Sequence, residues 1–566
     1  MMKRLNRTWV PAVAVTVMAL GTGGWLLQQG AGAQESTVFK ARLFEEVHRL
    51  VSERYVEEMD PSAMYRMAID GMLSKLGDPY SVFISAKDTD DLELSIEGEY
   101  GGLGIRIQKV GEWITVMGII ANTPAERQGL MTGDRIVGVE GESARGWDDV
   151  EAVERLRGPK GTPVSITIGR VGAAEPLEFT IVRDEIHVQT VKSFMASDRI
   201  GFVRLEGFSR DAREEVRAAI EDLEDQGAEA LVLDLRWNPG GLLDQGVAVT
   251  DLFLPRGAGI VETRSRVENQ NFTFGAPNDE VFPGLPMVVI VNTASASASE
   301  ILAGALQDHD RAVILGTPTF GKGSVQTVFS LPGGNHLKLT TAGWYTPSGR
   351  SITRSMEHGL ADDLALAVTA QVSATRGIIA DTVGREVFHT DGGRTVYGGG
   401  GITPDVIVPD TTTVDEREFE RVVGRGGFSL RQLAFRFGVQ WTSDHPDIAE
   451  DFSVTPEMRR EFYRMITEVE GLEVDEALFE EVQTRVDRFL EAQIANSAFG
   501  EIEMFKRFEA HSPMYQESIR LLQEADSPED LLNLAMVGAW ADEKSADPEA
   551  DSNLAEAGTS TRDGDY

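Results

Sequence analysis

An alternation of strand-like and helix-like segments between residues 200 and 315 constrains the fold more than any other feature of the sequence. Short apolar runs rich in β-branched residues are typical of buried strands, and the longer segments between them carry apolar residues at helical spacing. Such alternation favours a parallel sheet, and we predict an α/β core over residues 186–410. The predicted strands are 200–205, 230–235, 287–291 and 313–315, and the predicted helices are 212–226, 242–254 and 297–306.

Changes in residue pattern divide the rest of the chain into further domains. Apolar residues three to four positions apart predict helices before residue 95 and again beyond residue 410, and Asp60-Pro61 is a start signal for the second N-terminal helix. Short β-branched runs separated by glycines predict a small, mostly β domain with two short helices. The chain therefore divides into an N-terminal helical region (34–95), a mostly β domain (96–185), the α/β core (186–410), a helical C-terminal extension (411–540) and an acidic, disordered tail (541–566).

The N-terminus has the pattern of an export signal. Three basic residues within the first seven positions precede an apolar run over 10–27, and Ala31 and Ala33 supply the small side chains that signal peptidase recognises. We predict a signal peptide over residues 1–33 and a periplasmic or other extracytoplasmic location. If the segment stays uncleaved, it would instead anchor the protein and keep it near the membrane. Both alternatives place the chain from Gln34 onward outside the cytoplasm.

Composition excludes several kinds of chemistry. The 566 residues include no cysteine, which excludes thiolate nucleophiles, disulfides and Cys-ligated metals. The eight histidines form no pair at metal-ligand spacing, so the sequence predicts no metal and no other cofactor. The net charge of −38 repels phosphate backbones and argues against nucleic acid as a partner.

Three motifs at predicted strand ends carry the candidate chemistry, since ligand sites in α/β sheets lie at such ends. Residues 234–243, Asp-Leu-Arg-Trp-Asn-Pro-Gly-Gly-Leu-Leu, run from a strand through a glycine turn into a helix, where backbone N–H groups can stabilise an oxyanion. Residues 292–300, Asn-Thr-Ala-Ser-Ala-Ser-Ala-Ser-Glu, form a small-residue junction that a substrate backbone can approach closely. Residues 319–326, Thr-Phe-Gly-Lys-Gly-Ser-Val-Gln, place Lys322 between two glycines.

A serine and a lysine are the candidate nucleophile and base in these motifs. A lysine can take a proton from a serine hydroxyl only in its neutral form, which burial favours. Lys322 and Lys338 are the only lysines between positions 193 and 505, and alternation predicts that Lys338 faces outward from a strand. The residues alone do not separate Ser295, Ser297 and Ser299 as nucleophile, and Ser299 is also a candidate helix cap.

A glycine-rich loop opens the mostly β domain. Its sequence, Tyr-Gly-Gly-Leu-Gly-Ile at 100–105, lets backbone N–H groups converge on an anion, and the strand that follows offers an open edge to an extended peptide. A tight turn between strands is the simpler alternative for the glycines alone. Together with Pro-Ala at 124–125, Gly-Leu at 129–130 and Gly-Asp-Arg-Ile at 133–136, however, the loop resembles the carboxylate-binding loop and core of a PDZ domain.

The motifs together resemble the tail-specific, or carboxyl-terminal processing, proteases, which are serine endopeptidases with a PDZ domain and a Ser–Lys dyad. The resemblance extends over about residues 38–410 and includes Gly-Trp-Tyr-Thr-Pro-Ser-Gly-Arg at 343–350 and Gly-Ile-Thr-Pro-Asp at 401–405. It implies an exported endopeptidase that captures the C-terminal tails of protein or peptide substrates through the PDZ domain and cleaves by acyl transfer. The helical extension lies beyond the resemblance and is a candidate surface for self-association or for an adaptor protein.

The resemblance also implies roles for individual residues. By this resemblance, Ser297 is the nucleophile of the active site, Lys322 the general base and Gln326 the residue that orients the lysine. The oxyanion hole is made by Gly240 or Gly241 with the N–H of Ala298, and Glu300 and Thr319 are neighbours of the site. In the PDZ domain, the implied peptide-binding residues are Gly101, Gly102, Leu103, Gly104 and Ile105, and the candidate gating residue is Arg157.

Four alternatives compete with this interpretation. His309, between two aspartates, is a candidate for a histidine-based triad, although a charged helix end is the simpler explanation. Lys322 in its glycine loop is a candidate phosphate ligand, but the loop lacks the Gly-x-x-x-x-Gly-Lys-Ser/Thr spacing. Arg157 is as well placed to cap a helix as to gate a site. For the whole chain, the alternative is a PDZ scaffold with a degenerate protease core, against which the intact motifs argue.

Overall fold

The computed structural model describes residues 37–86, 89, 98–354, 384–409 and 412–545. The chain forms two compact units. Among the described residues, the first comprises 37–86 and 327–339, and the second comprises 89, 98–326, 340–354, 384–409 and 412–545.

The first unit begins with two helices and a short strand, namely α1 (Thr37–Arg54), α2 (Pro61–Ser74) and β1 (Val82–Ile84). Asp60 caps α2, because its carboxylate accepts hydrogen bonds of 3.2 Å from the backbone N–H groups of Ser62 and Ala63. The predicted start signal for this helix is therefore confirmed. Strand β1 pairs antiparallel with residues 336–338 of the same unit.

The second unit opens with the mostly β domain. Its elements are β2 (Glu99–Gly102), β3 (Ile105–Val110), β4 (Trp113–Ile119), α3 (Pro124–Arg127), β5 (Arg135–Val139), β6 (Glu142–Ser143), α4 (Asp149–Leu156), β7 (Pro163–Gly169), β8 (Leu177–Val182) and β9 (Asp184–His187). Strands β3, β4, β5, β7 and β8 form an antiparallel sheet in that order, with β6 on β5, and β2 pairs with β9. Strand β3 is thus an edge strand, as a peptide-binding strand must be.

The α/β core follows. Its strands are β10 (Val191–Ser197), β11 (Ile200–Leu205), β12 (Ala230–Asp234), β13 (Gly259–Arg264), β14 (Phe272–Gly275), β15 (Met287–Val291), β16 (Val313–Gly316), β17 (Ser324–Ser330), β18 (His336–Tyr345), β19 (Val387–His389), β20 (Thr395–Tyr397) and β21 (Val406–Ile407). Residues 327–339, at the end of β17 and the start of β18, belong to the first unit and not to this core. Its helices are α5 (Ala212–Asp225), α6 (Leu243–Asp251) and α7 (Ala298–Asp308), with 3₁₀ turns at Glu268–Gln270 and Pro332–Gly334.

Six of these strands form a central sheet in the order β10-β11-β12-β15-β16-β21. Every neighbouring pair from β11 to β21 is parallel, as the alternation predicts, whereas β10 and β11 are antiparallel. The turn between β10 and β11 permits a hairpin but is too short for a crossover, which explains the difference. The carboxyl ends of β12, β15 and β16 meet at one edge, and the three predicted motifs begin there.

Both faces of the central sheet are buried. Successive residues of each strand point to opposite faces, and both sets of side chains lie in apolar clusters. Val203, Leu233 and Val289 lie in the apolar cluster that includes residues of α5–α7. Their neighbours Val232 and Ile290 lie in a second cluster, which is completed by apolar side chains from the C-terminal extension. The extension therefore forms one layer of the α/β core.

The C-terminal extension is helical, as predicted. Its helices are α8 (Val414–Arg425), α9 (Leu430–Asp444), α10 (Pro456–Arg464), α11 (Glu476–Glu481), α12 (Gln483–Phe499), α13 (Glu501–Ala510), α14 (Pro513–Glu524) and α15 (Pro528–Ser545), with a π-helical turn at Met465–Val469. Helices α8–α12 enclose an apolar core of their own, while α13–α15 cover the central sheet. Asn496 on α12 also donates a hydrogen bond of 3.2 Å to the carbonyl oxygen of Met117 in the mostly β domain.

Two predicted segments fall largely outside the described residues. The predicted signal peptide lies there entirely, and so does the predicted tail beyond Ser545. Helix α15 extends past residue 541, where the tail was predicted to begin. In the described part of the chain, no helix has the length and apolar character that a membrane crossing requires.

Candidate active site

Ser297 differs from the two neighbouring serines in backbone and in burial. It is the N-cap residue of α7, it is half-buried, and its φ of +55° is rare for a residue other than glycine. Ser295 and Ser299 are fully buried, and their hydroxyls donate to the carbonyl oxygens of Leu235 (2.8 Å) and Asn238 (3.0 Å). Ser299 lies inside the helix, so its alternative role as the cap is wrong. Ser297 is the serine whose hydroxyl a substrate can reach.

The Glu300 carboxylate joins the second and third motifs. Its Oε2 atom accepts hydrogen bonds from the backbone N–H of Ser297 (2.8 Å) and of Lys322 (3.0 Å). Its Oε1 atom accepts from the Thr319 hydroxyl (2.6 Å) and the Gly321 N–H (2.7 Å). Burial raises the pKa of Glu300, and these four hydrogen bonds oppose that rise because they favour the carboxylate form. The backbones of Ser297 and Lys322 thus lie within hydrogen-bond distance of one oxygen atom.

Two further motifs hold the lysine loop in place. The indole of Trp344 donates a hydrogen bond of 3.1 Å to the Lys322 carbonyl oxygen, and the backbone N–H of Trp344 donates to Gly323. The Thr319 hydroxyl accepts a hydrogen bond of 2.7 Å from the N–H of Ile402. Segments 343–350 and 401–405 therefore both contact the lysine motif, at Lys322 and at Thr319.

Gln326 lies on β17, four residues after Lys322. Its side-chain amide donates to the hydroxyls of Ser324 (2.8 Å) and Thr340 (3.4 Å). These contacts fix the amide plane, and the predicted role of Gln326 in orienting the lysine stays a prediction. Lys338, the other lysine of this region, belongs to the first unit and pairs in register with Val82.

Asn238 fixes the glycine turn, defined here as residues 236–241, against the small-residue junction of residues 292–300. Its side chain is fully buried, donates to the carbonyl oxygen of Leu205 (2.8 Å) and accepts from the N–H of Gly240 (2.8 Å). Its own carbonyl oxygen accepts from the N–H of Ala296 (3.0 Å). A Cβ added to Gly240 would lie 2.8 Å from the Cβ of Ser297, so the turn packs directly on the candidate nucleophile. The local sequence carries no signal that distinguishes Asn238 as a functional residue.

The structure distinguishes the two glycines proposed for the oxyanion hole. The N–H of Gly240 is already bonded to the Asn238 side chain. In the described part of the chain, no acceptor lies against the N–H of Gly241 or of Ala298, the first residue of α7. This conformation therefore leaves Gly241 and Ala298 as the donors available to a developing oxyanion.

The glycine-rich loop predicted to bind peptides lines a groove between β3 and α4. The lining of the groove includes Gly102, Leu103, Gly104 and Ile105, whereas Gly101 packs behind it and accepts a hydrogen bond from the N–H of Gly158. Within the described residues, the N–H groups of Leu103 and Gly104 meet no acceptor. Gly104 has a φ of +83°, and an added Cβ would lie 2.2 Å from Thr123. The loop thus has the geometry that binds a carboxylate through backbone N–H groups.

Arg157 both ends its helix and contacts the groove. It is the C-cap residue of α4, and its N–H donates to the carbonyl oxygen of Val153 (2.9 Å). Its guanidinium lies 4.7 Å from the ring centroid of Tyr100, which also lines the groove. Capping by the backbone and contact with the groove by the side chain are therefore compatible.

His309 lies at the opposite end of α7 from Ser297. With a rise of about 1.5 Å per residue, the two are roughly 18 Å apart. Its ring nitrogens contact the Asp391 carboxylate and the Gly259 carbonyl oxygen, both at 2.7 Å. The histidine-based triad is therefore wrong.

Among the described residues, one group of three side chains brings its potential metal-ligand atoms close together. Glu99, His187 and Asp211 place one such atom each within 4.8 Å of one another, and the other ring nitrogen of His187 contacts Glu215 at 2.6 Å. These side chains are exposed or half-buried, and surface acidic groups of this kind are common without an ion. We assign the cluster no part in the chemistry of Ser297.

Three segments of the chain match known families. Residues 199–366 match peptidase family S41, residues 93–169 match the PDZ domain, and residues 25–89 match the activating protease CtpB N-terminal domain. The chain is 43% identical over 323 residues to the carboxy-terminal-processing protease of Bartonella bacilliformis, covering 56% of this chain and 74% of that protein. It is 33% identical over 345 residues to the carboxy-terminal processing protease CtpA of Bacillus subtilis, covering 61% of this chain and 73% of CtpA.

A solved structure, the photosystem II D1 C-terminal processing protease, is 30% identical in sequence, with a TM-score of 0.34 and coverage of 57% of this chain and 85% of that chain. The family matches define a protease that carries a PDZ domain. The chain belongs to the carboxy-terminal-processing proteases of peptidase family S41. The resemblance seen in the sequence is thereby confirmed, together with the multidomain architecture.

Replacing Gly240 by alanine is expected to lower kcat on a peptide substrate by about 100-fold or more, because small displacements near the reacting atoms are costly. The added Cβ would lie 2.7 Å from the Ala296 carbonyl oxygen and 2.8 Å from the Ser297 Cβ. Gly257→Ala is the matched control, since its φ is also positive (+88°) but no atom lies within 4 Å of the added Cβ. It should lose roughly 1–2 kcal/mol of stability and keep kcat. An unchanged kcat in Gly240→Ala would contradict the packing described here.

Proposed function

We propose that the protein is a serine endopeptidase in which Ser297 is the nucleophile and Lys322 the general base. The observation that carries the proposal is the position of Glu300, whose Oε2 atom accepts from the backbone N–H of both residues. This shared contact supports close approach of the serine hydroxyl and the lysine amine, which a nucleophile and its base require. The left-handed backbone of Ser297 supports the same role, because such strain persists mainly at functional sites.

The proposed reaction is acyl transfer in two steps. The neutral amine of Lys322 takes the proton of the Ser297 hydroxyl as its oxygen attacks the scissile carbonyl, and the N–H groups of Gly241 and Ala298 stabilise the oxyanion. The ammonium then gives this proton to the departing amine, which leaves an acyl group on Ser297. A water molecule loses a proton to the same lysine and attacks the acyl carbon, and the proton returns to the serine oxygen as the new carboxyl group leaves. Gln326 is the proposed residue that orients the lysine.

The proposed substrates are proteins with free C-terminal tails. The N–H groups of Leu103 and Gly104 are available to a terminal carboxylate, and the edge strand β3 can pair with the extended residues before it. Membership of the carboxy-terminal-processing protease family supports the same substrate class. We also propose that the protein acts outside the cytoplasm, on the strength of the leader-like pattern in residues 1–33.

The function is tested with one peptide in two forms. Wild-type protein is incubated with a long peptide that ends in an apolar residue, either with a free C-terminal carboxylate or with an amide, and the products are identified by mass spectrometry. We expect internal cleavage of both forms and a several-fold lower KM for the free carboxylate, because the charged carboxylate accepts stronger hydrogen bonds from the loop N–H groups than the neutral amide oxygen does. Binding without cleavage of either form would instead support the scaffold alternative, and equal KM values would exclude carboxylate recognition.

Arg157→Ala is expected to change the cleavage of long tailed substrates and to leave short peptides unaffected. The Arg157 side chain lies over Tyr100 in the groove, so a bound tail would contact it, whereas a peptide too short to reach the groove would not. The measurement compares kcat/KM for the two substrates, with and without added C-terminal peptide. If wild type and variant respond identically and differ only in thermal stability, Arg157 serves solely as a helix cap.

A further inference from the structure

A buried ion cluster connects the C-terminal extension to the glycine turn. Arg236, the first residue of the turn, contacts the Asp234 carboxylate through two nitrogens (2.9 and 2.8 Å). It also donates to the carboxylate of Glu509 (2.5 Å) on α13 and to the hydroxyl of Ser512 (2.9 Å), which precedes α14. The side chains of Asp234, Arg236 and Glu509 are 0%, 8% and 4% exposed. The guanidinium is therefore held between the sheet and the extension.

Glu509 supplies one of the two buried carboxylates of the cluster, and Asp234 supplies the other. Arg204 completes the cluster, with nitrogen atoms 3.4 Å from Asp234, 3.6 Å from Glu509 and 3.7 Å from the partly exposed carboxylate of Glu206. Burial alone would raise the pKa of Asp234, but the two guanidinium groups outweigh it and hold this pKa below the ordinary value. Loss of the Glu509 charge would leave Asp234 as the one buried carboxylate that faces the two guanidinium groups.

The cluster is continuous with the residues that face the nucleophile. Arg204 also donates a hydrogen bond of 3.3 Å to the carbonyl oxygen of Arg236, so it holds the backbone of the turn as well as its charge. Trp237 follows with a φ of +64°, which is strained for so large a residue and needs support from its surroundings. Asn238 comes next, and its contact with Ala296 leads directly to Ser297.

We propose that Glu509 is a positioning residue for the oxyanion hole, and that the C-terminal extension thereby takes part in the active site. The inference rests on the proposed function, since it concerns the turn that supplies Gly241. Glu509 touches no substrate atom; it holds Arg236, and Arg236 holds the first residue of the turn. Helix α13 lies outside the segment that matches peptidase family S41, so this contact is made by a part of the chain beyond the matched protease segment.

Glu509→Gln tests the proposal, because glutamine keeps the size of the side chain and removes its charge. The substrate is a short peptide that does not reach the PDZ groove. We expect kcat to fall by about 10-fold to 100-fold with KM within roughly 2-fold of wild type, since the turn acts on the transition state rather than on substrate binding. The rate at which a fluorophosphonate labels the active-site serine should fall in parallel. Glu503→Gln is the matched control on the same helix, because Glu503 bonds Arg507 and does not contact Arg236.

A second pair of variants decides the question if Glu509→Gln does not fold. Ser512→Ala removes only the hydroxyl that accepts from Arg236, and Ser518→Ala removes an equally buried hydroxyl that donates to Met514. The proposal expects a several-fold lower kcat in Ser512→Ala alone. If kcat per folded molecule is unchanged in Ser512→Ala, or falls equally in Ser512→Ala and Ser518→Ala, the role of the cluster is structural and the proposal is wrong.

The same assay separates this inference from the proposed function. Ser297→Ala is measured beside the other variants. If it retains hydrolysis, the proposed nucleophile is wrong whatever Glu509→Gln does. If it is inactive while Glu509→Gln keeps the kcat and labelling rate of wild type, only the positioning role fails.

Discussion

Replacing Ser297 by alanine should abolish peptide hydrolysis, with a loss in kcat of about 10⁴-fold or more. The hydroxyl oxygen is the proposed attacking atom, and no neighbouring side chain can replace it, because the hydroxyls of Ser295 and Ser299 are buried and already bonded to carbonyl oxygens. The fold should persist. The hydrogen bond from position 297 to Glu300 is made by the backbone, and alanine keeps it. The measurement is kcat on a fluorogenic peptide together with thermal unfolding.

Ser295→Ala is the matched control in the same motif. Its Oγ atom donates to the Leu235 carbonyl oxygen and accepts from the Asn292 N–H. Its loss leaves the buried Asn292 N–H unpaired, whereas the Leu235 carbonyl oxygen keeps the hydrogen bond from the Asn238 N–H. We expect a loss of about 1–3 kcal/mol in stability and substantial activity in the folded fraction. An inactive Ser295→Ala beside an active Ser297→Ala would overturn the assignment of the nucleophile.

The central sheet and its motifs were predictable because they follow from local patterns. Buried strands alternate with helices along the chain, and parallel pairing then brings the ends of β12, β15 and β16 to one edge. The antiparallel pairing of β10 with β11 was not predicted, since it depends on a tight turn that the apolar pattern does not display.

The choice among the three serines was not predictable from residue type. It depends on which hydroxyls are buried and on the left-handed backbone at Ser297, and both are set by packing against the glycine turn. The same limit applies to Gly240 and Gly241, because the side chain of Asn238 decides which N–H is available. The family resemblance singled out Ser297, but it left the two glycines open.

Contacts between distant parts of the chain were the least predictable. Glu509 and Arg236 are 273 residues apart, and their contact arises only when the extension docks on the sheet. Nothing in the local pattern around Glu509 distinguishes it from the many exposed acidic residues of the same helices. A buried acidic residue on a helix can be recognised from the sequence only when the surface that buries it is known.

Lys322→Ala should lower kcat by roughly 10²-fold to 10⁴-fold relative to wild type, the range typical of a general base. Lys338→Ala is the control and should retain the wild-type rate. Because nucleophile and base act as one unit, Ser297→Ala combined with Lys322→Ala should be no slower than Ser297→Ala alone. A further loss in the double variant would show that Lys322 acts separately from Ser297.

The pH dependence of hydrolysis gives the sharpest test of the base. Only the neutral amine of Lys322 can accept the proton of Ser297, so activity should rise with pH as the ammonium loses its proton. Below the pKa of the amine, each pH unit should change kcat/KM by about tenfold, because the neutral fraction changes by that factor. Lys322→Arg should stay inactive throughout, since a guanidinium remains protonated. A profile with a midpoint near 6.5 that is lost in His309→Ala would contradict the lysine assignment, because that ionisation belongs to a histidine.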